Sequence, residues 1–263
     1  MSAYWAIFSA RLRTLLQYRA AAFAGLSTQL FWGLIRVMAF EAFYRSSAAT
    51  IPMPVEQVVD YIWLGQAFLM LLPIRLDAEI RTMVRSGTIA YELVRPLDLY
   101  NFWYMRTIAS CLAPTTLRCG PLLLIALLVF DMRLPPSSSA AFAFALTMVS
   151  ALLLAAAISN LLNITLLWTV AGEGTAGIMQ VVTFLFCGMI VPLPLFPDWM
   201  QPLLSYSPFA GLMDLPFRLY TGHISSDQLA SVFARQLGWT LALVVFSRWL
   251  LARGTRILVA QGG

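Results

Sequence analysis

The chain is built from long apolar stretches separated by short polar ones. Six apolar blocks of about 20 residues can be marked, at residues 20–43, 58–74, 110–130, 140–168, 176–195 and 232–251. About 20 helical residues, at 1.5 Å each, cross a hydrocarbon layer roughly 30 Å thick. The blocks are continuously apolar, whereas the strands of a barrel alternate over about ten residues, so the pattern favours helices. The sequence therefore predicts an all-α membrane protein with six transmembrane helices in a single domain, residues 1–263.

The residues ahead of the first block have a helical pattern of their own. Apolar side chains recur at helical spacing at Trp5, Phe8, Leu12 and Leu15, while Arg11 and Arg13 lie off this stripe. A basic face opposite Trp and Phe is typical of helices that lie along a membrane surface. The pattern predicts an N-terminal amphipathic interfacial helix, and the alternative is a first span that simply extends further toward the N-terminus.

Residues 75–106 form the most polar segment of the chain. Asp77, Arg81 and Arg85 fall at i, i+4 and i+8, so one helix face can carry an acid followed by two bases. Gly87 is a plausible helix stop, and a second short piece, residues 89–94, ends before Pro96. The segment predicts two short helices joined by a glycine, between spans two and three.

The stretch between the fifth and sixth blocks is rich in proline. Residues 192–225 carry six prolines among large apolar side chains. This stretch is too apolar for a solvated loop and too often broken for a span. Backbone at membrane depth must bond to itself or be buried in protein, so short re-entrant or interfacial helices are predicted here.

The composition supports a membrane protein, and the distribution of charge predicts its orientation in the membrane. Hydrophobic residues make up 60% of the chain and charged residues 11%, against about 25% charged in soluble domains. The polar ends on one side carry ten arginines: Arg11, Arg13, Arg19, Arg75, Arg81, Arg85, Arg95, Arg106, Arg253 and Arg256. The opposite side carries four: Arg45, Arg133, Arg218 and Arg235. Positive charge is concentrated in cytoplasmic loops, so both termini are predicted to be cytoplasmic. All 17 basic residues are arginine, and alanine is abundant, which suggests a GC-rich bacterium and hence its cell membrane.

Several kinds of chemistry lack the residues they need. A P-loop requires a lysine on the terminal phosphates, and the chain has none. The single histidine, His223, has no second histidine or cysteine nearby, so no metal site and no catalytic triad is expected. The three cysteines are interpreted as packing residues. No basic face with stacking aromatics suggests nucleic acid.

Polar residues inside the blocks are candidates for a substrate pathway, because buried charge in a membrane is costly. The candidates on the first and fifth blocks are Gln29, Trp32, Arg36, Glu41, Gln180 and Phe184. Arg118 interrupts the third block. In the alternative interpretation, Arg36 pairs with a carboxylate or extends to the membrane surface. Gly172 and its neighbours are interpreted as a tight turn.

Two segments resemble the membrane subunits of type-2 ABC exporters. In residues 79–97, a glycine is followed by a short apolar helix and a Leu93-Val94-Arg95-Pro96 end. Residues 188–200, running on to 207–209, resemble the outer signature that follows the fifth span in that family. The order of these segments, the six spans and the amphipathic start extend the resemblance over nearly the whole chain. The branch it resembles most has permeases often encoded in pairs.

The resemblance implies a permease that works as half of a dimer, with an identical or related second copy. Two separate ABC ATPases would bind ATP and Mg, so no cofactor is expected on this chain. Carried over by position, the ATPase-coupling residues are Asp77, Glu79, Ile80, Arg81, Met83, Arg85, Gly87, Ile89, Glu92, Leu93, Arg95 and Pro96. The extracellular gate would comprise Pro192, Pro194, Phe196 and Pro197.

Three functions are therefore considered. The first is a transport subunit of an ATP-driven exporter, not itself an enzyme, for an amphipathic or hydrophobic compound such as a drug, antibiotic, lipid or peptide-like molecule; multidrug efflux is one form of this. The second is an ion-coupled transporter or channel that uses Arg36 and Glu41 without an ATPase. The third is a membrane enzyme or scaffold, for which few acid-base groups are available.

Overall fold

The computed structural model describes residues 3–47, 51–169 and 172–257, and these residues are helical with no β-strand. The helices are α1 (Ala3–Leu16), α2 (Arg19–Ser46), α3 (Val55–Phe68), α4 (Ala78–Arg85), α5 (Ile89–Leu93), α6 (Leu99–Val129), α7 (Ser138–Thr169), α8 (Glu173–Phe186), α9 (Gln201–Tyr206), α10 (Asp214–Tyr220) and α11 (Leu229–Ile257). One end of the bundle carries α1, α4 and α5 and is called the α4 end. The other carries residues 187–228, called the proline segment.

Four stretches of the described residues are long and apolar enough to cross a membrane. They are Ala22–Ser46, Leu99–Val129, Ser138–Thr169 and Ser226–Arg256. They correspond to the predicted first, third, fourth and sixth spans. The predicted third span is α6, which begins at Leu99, well before the predicted residue 110. Asp98 caps this helix by accepting a hydrogen bond from the Asn101 N–H at 2.8 Å.

The other two predicted spans are shorter than expected. α3 has 14 residues and continues only through a 3₁₀ turn, Leu69–Leu71, whereas the prediction ran to residue 74. α8 also has 14 residues and ends at Phe186, nine residues before the predicted end. Gly188 follows in the left-handed region, at φ +82°, and prolines come next, so the helix cannot continue. At 1.5 Å per residue, each helix covers about 21 Å, less than a full hydrocarbon core.

The long helix α7 lies at the centre of the fold. It packs against α6, α10 and α11, and its buried face is rich in small residues, including Ala151, Ala155 and Ala156. Small side chains let helix backbones approach closely, which is the usual way that helices associate in membranes. The main apolar core lies beside this face and includes Trp63, Leu154 and other large side chains of α3, α6 and α10.

α1 is a separate helix that packs against α6. The chain breaks at Gln17 and Tyr18, so α1 does not extend α2 as in the alternative interpretation. Phe8 is buried, while Trp5 is about half exposed and lies 5.1 Å from the Phe8 ring. The placement of α1 along a membrane surface stays a prediction.

The proline segment folds into short helices and 3₁₀ turns. It contains α9, α10 and the turns Leu193–Leu195 and Pro208–Gly211. Leu193, Leu204 and Leu219 are buried in a second apolar cluster that includes Ala143 of α7. The segment is therefore packed onto the bundle, and its depth in the membrane stays a prediction.

Candidate functional site

The predicted coupling segment begins at Asp77, which caps α4. Its side chain accepts hydrogen bonds from the N–H groups of Glu79 and Ile80, at 2.9 and 3.3 Å. Its own backbone N–H donates to Oδ1 of Asn163 on α7, at 2.9 Å. The first turn of α4 is therefore fixed to the central helix as well as capped.

Two arginines from other helices bind the same acidic turn. Nη2 of Arg106, on α6, lies 3.1 Å from Asp77 Oδ2 and 2.7 Å from Glu79 Oε2. Arg11, on α1, pairs with the same two carboxylates. Burial alone would raise the pKa of Glu79, but Arg106 and Arg11 outweigh it and hold that pKa below its usual value. This charge cluster joins α1, α4 and α6.

The later turns of α4 are tied to α8. Arg81 and Arg85 extend toward Glu173 Oε1, at 3.2 and 3.7 Å, rather than pairing with Asp77 as their spacing suggested. Glu173 lies in the first turn of α8, where its negative charge also interacts favourably with the helix dipole. Gly172 precedes it at φ +68°, a conformation that suits glycine, while Glu173 and Gly174 of the predicted turn belong to α8. Glu173 was not among the predicted site residues.

A glycine ends α4 as predicted. Gly87 has φ +72°, and its N–H donates to the Val84 carbonyl at 3.3 Å. Ile80 and Ile89, on either side of it, are buried against Trp103 in the chain's own core. Met83 packs against the edge of that cluster. These three side chains hold α4 and α5 against the bundle, so their burial leaves little of them for a partner.

The far end of α5 is exposed. Tyr91 is 70% exposed, Leu93 43% and Val94 81%. Glu92 points inward and pairs with Arg95 at 3.2 Å, and the Arg95 guanidinium lies over the Phe102 ring. The segment ends at the exposed Pro96. An apolar tip therefore projects from the α4 end.

The polar residues predicted for the pathway on α2 are bound to backbone groups. Gln29 is buried, and its Nε2 donates to the Gln66 carbonyl at 2.9 Å. Arg36 Nη2 donates to the Ile190 carbonyl at 3.0 Å. Arg36 therefore ties α2 to the start of the proline segment.

The remaining pathway candidates are spread over the surface. Trp32 is 54% exposed. Glu41 pairs with Arg45 one turn later, at 3.4 Å, in an exposed position. On α8, Gln180 is exposed and Phe184 packs partly into the core. A single continuous path within this chain is not formed by these side chains.

A buried carboxylate holds the residues predicted for the gate. Asp214 is fully buried, and its Oδ1 accepts from the Tyr61 hydroxyl at 3.0 Å and from the Leu193 N–H at 3.2 Å. Its Oδ2 lies 3.3 Å from Arg218. Because Leu193 lies between the buried Pro192 and Pro194, Asp214 fixes this part of the proline segment to α3.

A second anchor lies slightly further along the proline segment. Nε2 of Gln201 donates to the carbonyls of Pro194 and Phe196, at 3.0 and 2.9 Å. Phe196 is half-buried and Pro197 is exposed. The four predicted gate residues therefore run from the core to the surface.

These features define a helical protein of the membrane, with a charged helical pair at one end and a pinned, proline-rich segment at the other. The family model for ABC-2 family transporter proteins matches residues 30–262. The chain therefore belongs to the ABC-2 transporter family and is a multi-pass transmembrane subunit of an ABC transporter. Comparison with curated proteins gives no significant match.

Proposed function

We propose that the chain is the permease subunit of an ATP-driven exporter, that its α4 end faces the cytoplasm, and that two separate ATPases supply ATP and Mg chemistry. It would form half of the substrate pathway with six membrane helices, two of them short. The observation that carries the proposal is the α4–α5 pair. It presents an exposed apolar tip while α4, together with its cap Asp77, is bonded to four other helices.

The apolar tip is the proposed contact with the ATPase. Tyr91, Leu93 and Val94 are exposed on either side of the buried Glu92, and Arg95 and Pro96 follow them. Exposed apolar groups at a polar end of a membrane protein are typical of protein interfaces. The charged residues of α4 then have a different task from the predicted one, because their partners lie within this chain.

The ion pairs of α4 are the proposed means of transmission. Asp77 and Glu79 connect α4 to α1 and α6, and Arg81 and Arg85 connect it to α8. A displacement of the tip would therefore act on several helices together. Rigid-body movement of packed elements is a common form of conformational switching.

The coupling assignment is tested by changing the tip alone. In Leu93→Ala/Val94→Ala, we expect the chain to insert and fold normally but to lose stimulation of a co-expressed ABC ATPase. Leu134→Ala/Ile190→Ala is the matched control, because those aliphatic side chains are equally exposed away from the α4 end. Normal stimulation by the tip variant would contradict the assignment.

A second permease is proposed to cover α2 and α8. Exposed large side chains cluster on both helices, including Trp32 on α2 and Ile178 and Val181 on α8. The pathway would then form between two chains, which accounts for the scattered candidates within one. The substrate class stays an amphipathic or hydrophobic compound.

Crosslinking tests the second permease. In a background without native cysteines, Gln180→Cys should form a disulfide-linked dimer in membranes. Val149→Cys, at a comparably exposed position on α7, should not. Equal crosslinking at both positions would indicate random collision rather than an interface at α8.

A further inference from the structure

A cavity of about 320 Å³ lies at the α4 end, apart from the ATPase-contact tip. Its walls come from α1, the start of α2, residues 69–78, and the facing sides of α6 and α7. Tyr18 and Arg75, both exposed, mark where it reaches the surface. Its volume equals that of roughly ten water molecules, enough for a glycerophosphate-sized group but not for a whole lipid.

The charged groups of the wall favour an anion. Arg11, Arg75 and Arg118 line the cavity, with Asp77 as the one lining carboxylate among the described residues. Asp77 is already paired with Arg11 and with Arg106. Arg75 makes no hydrogen bond or ion pair with any residue that the structure describes. Three guanidinium groups and one carboxylate leave an excess of two positive charges.

The rest of the wall favours an amphiphile over a soluble anion. It is largely aliphatic, formed by Leu15, Leu69, Met70, Leu72, Ile74 and Leu117. A phosphate ion would gain nothing from these groups, whereas acyl carbons gain by leaving water. The Ser110 hydroxyl, also in the wall, is buried and has no hydrogen-bond partner among the described residues. It could donate to a phosphate or ester oxygen.

We propose that this cavity binds the head group of an anionic phospholipid, with its phosphate between Arg75 and Arg118 and its first acyl carbons along the aliphatic wall. The lipid would fill the space between α1 and the bundle and hold α1 in place. Anionic lipid could occupy this cavity whichever side of the membrane the α4 end faces, and its binding does not depend on the proposed ATPase contact.

Lipid titration of the full-length protein tests the proposal. The delipidated chain in neutral detergent is titrated with short-chain phosphatidylglycerol or with phosphatidylcholine of the same chain length, and bound lipids are counted by native mass spectrometry. We expect one phosphatidylglycerol per chain, held at least tenfold more tightly than phosphatidylcholine. Glycerol phosphate at the same concentration should not compete.

Variants locate the site. Each arginine near a phosphate contributes about fivefold to affinity, so Arg75→Gln should weaken phosphatidylglycerol binding about fivefold and Arg75→Gln/Arg118→Gln about 25-fold. Arg45→Gln is the matched control, because it removes the same charge at the opposite end. The single variant alters an exposed side chain that has no partner among the described residues, so it remains informative if the double variant fails to fold.

Three results would overturn the proposal. They are equal affinity for the two lipids, a phosphatidylglycerol affinity that Arg75→Gln leaves unchanged, and competition by glycerol phosphate as strong as that by the lipid. A phosphatidylglycerol with a photoreactive head group gives an independent measurement. Its crosslinks should fall within residues 69–78 or 107–118, and crosslinks confined elsewhere would also refute the site.

Discussion

Removing one hydroxyl should loosen the proline segment. Tyr61→Phe deletes the group that donates to Asp214 Oδ1 at 3.0 Å and leaves the ring in the core. Asp214 keeps the Leu193 N–H and Arg218 as partners. A buried hydrogen bond to a charged group contributes about 1.5–3 kcal/mol, which corresponds to roughly a 10- to 150-fold change in an equilibrium constant.

The thiol of Cys187 reports this loosening. Cys187 is fully buried at the end of α8, so a maleimide can reach it only when the neighbouring segment opens. In a Cys111→Ala/Cys119→Ala background, it is the single remaining cysteine. When opening is a rapid pre-equilibrium, the labelling rate of Tyr61→Phe should exceed that of the parent roughly 10- to 150-fold.

A second tyrosine provides the control. Tyr104 donates its hydroxyl to the neutral Leu153 carbonyl at 2.8 Å, and its neighbour Tyr100 belongs to the cluster near α4. Tyr104→Phe should leave the labelling of Cys187 nearly unchanged. Equal rates for Tyr61→Phe and the parent would refute the claim that this hydroxyl anchors the segment. Equal acceleration in both variants would point to general destabilisation.

The other predictions concern a carboxylate and two glycines. Glu173→Gln removes the carboxylate that Arg81 and Arg85 share, so stimulation of a co-expressed ATPase should fall. Because Glu173 is largely exposed, the free energy of unfolding should change by less than about 1 kcal/mol. Gly188→Ala should lower the unfolding temperature in detergent strongly, since the positive φ costs about 1–2 kcal/mol and the added Cβ would clash with the Tyr61 hydroxyl. Gly87→Ala has a similar φ but open space around it, so the same measurement should give a smaller loss.

The long helices could be predicted because their apolar runs are continuous. α7 begins and ends within two residues of the predicted 140–168. The start of α6 could not be predicted in this way, since Asn101 and Arg106 make its first turns polar. Arg106 is accommodated there by Asp77 and Glu79, which approach it only in the folded chain. A hydropathy profile cannot show that a charged residue is neutralised by a partner that is distant in the sequence.

In the candidate site, too, features that depend on neighbouring residues could be predicted, whereas those that depend on distant residues could not. The glycine stop at Gly87 depends on the local chain and was predicted. The roles of Glu173 and Asp214 depend on partners that lie 92 and 153 residues away, so no spacing in the sequence indicates them. An acid in the first turn of α8, directly after a glycine turn, was the one available signal for Glu173. Asp214 had none beyond being a carboxylate in an apolar segment.

α3 gives a physical reason to expect that events at the two ends are linked. Tyr61, Trp63 and Leu64 are almost completely buried, and Trp63 stacks on Phe130 with the ring centres 4.7 Å apart. A helix packed this closely cannot bend gradually around one residue, so it shifts as a unit or stays in place. Asp77 follows the C-terminal end of α3 after nine residues, and Tyr61 near the middle of α3 donates to Asp214. A displacement of α4 that moves α3 relative to α10 would therefore strain the Tyr61–Asp214 bond. The labelling rate of Cys187 would then report, at the proline segment, a movement that starts at the α4 end.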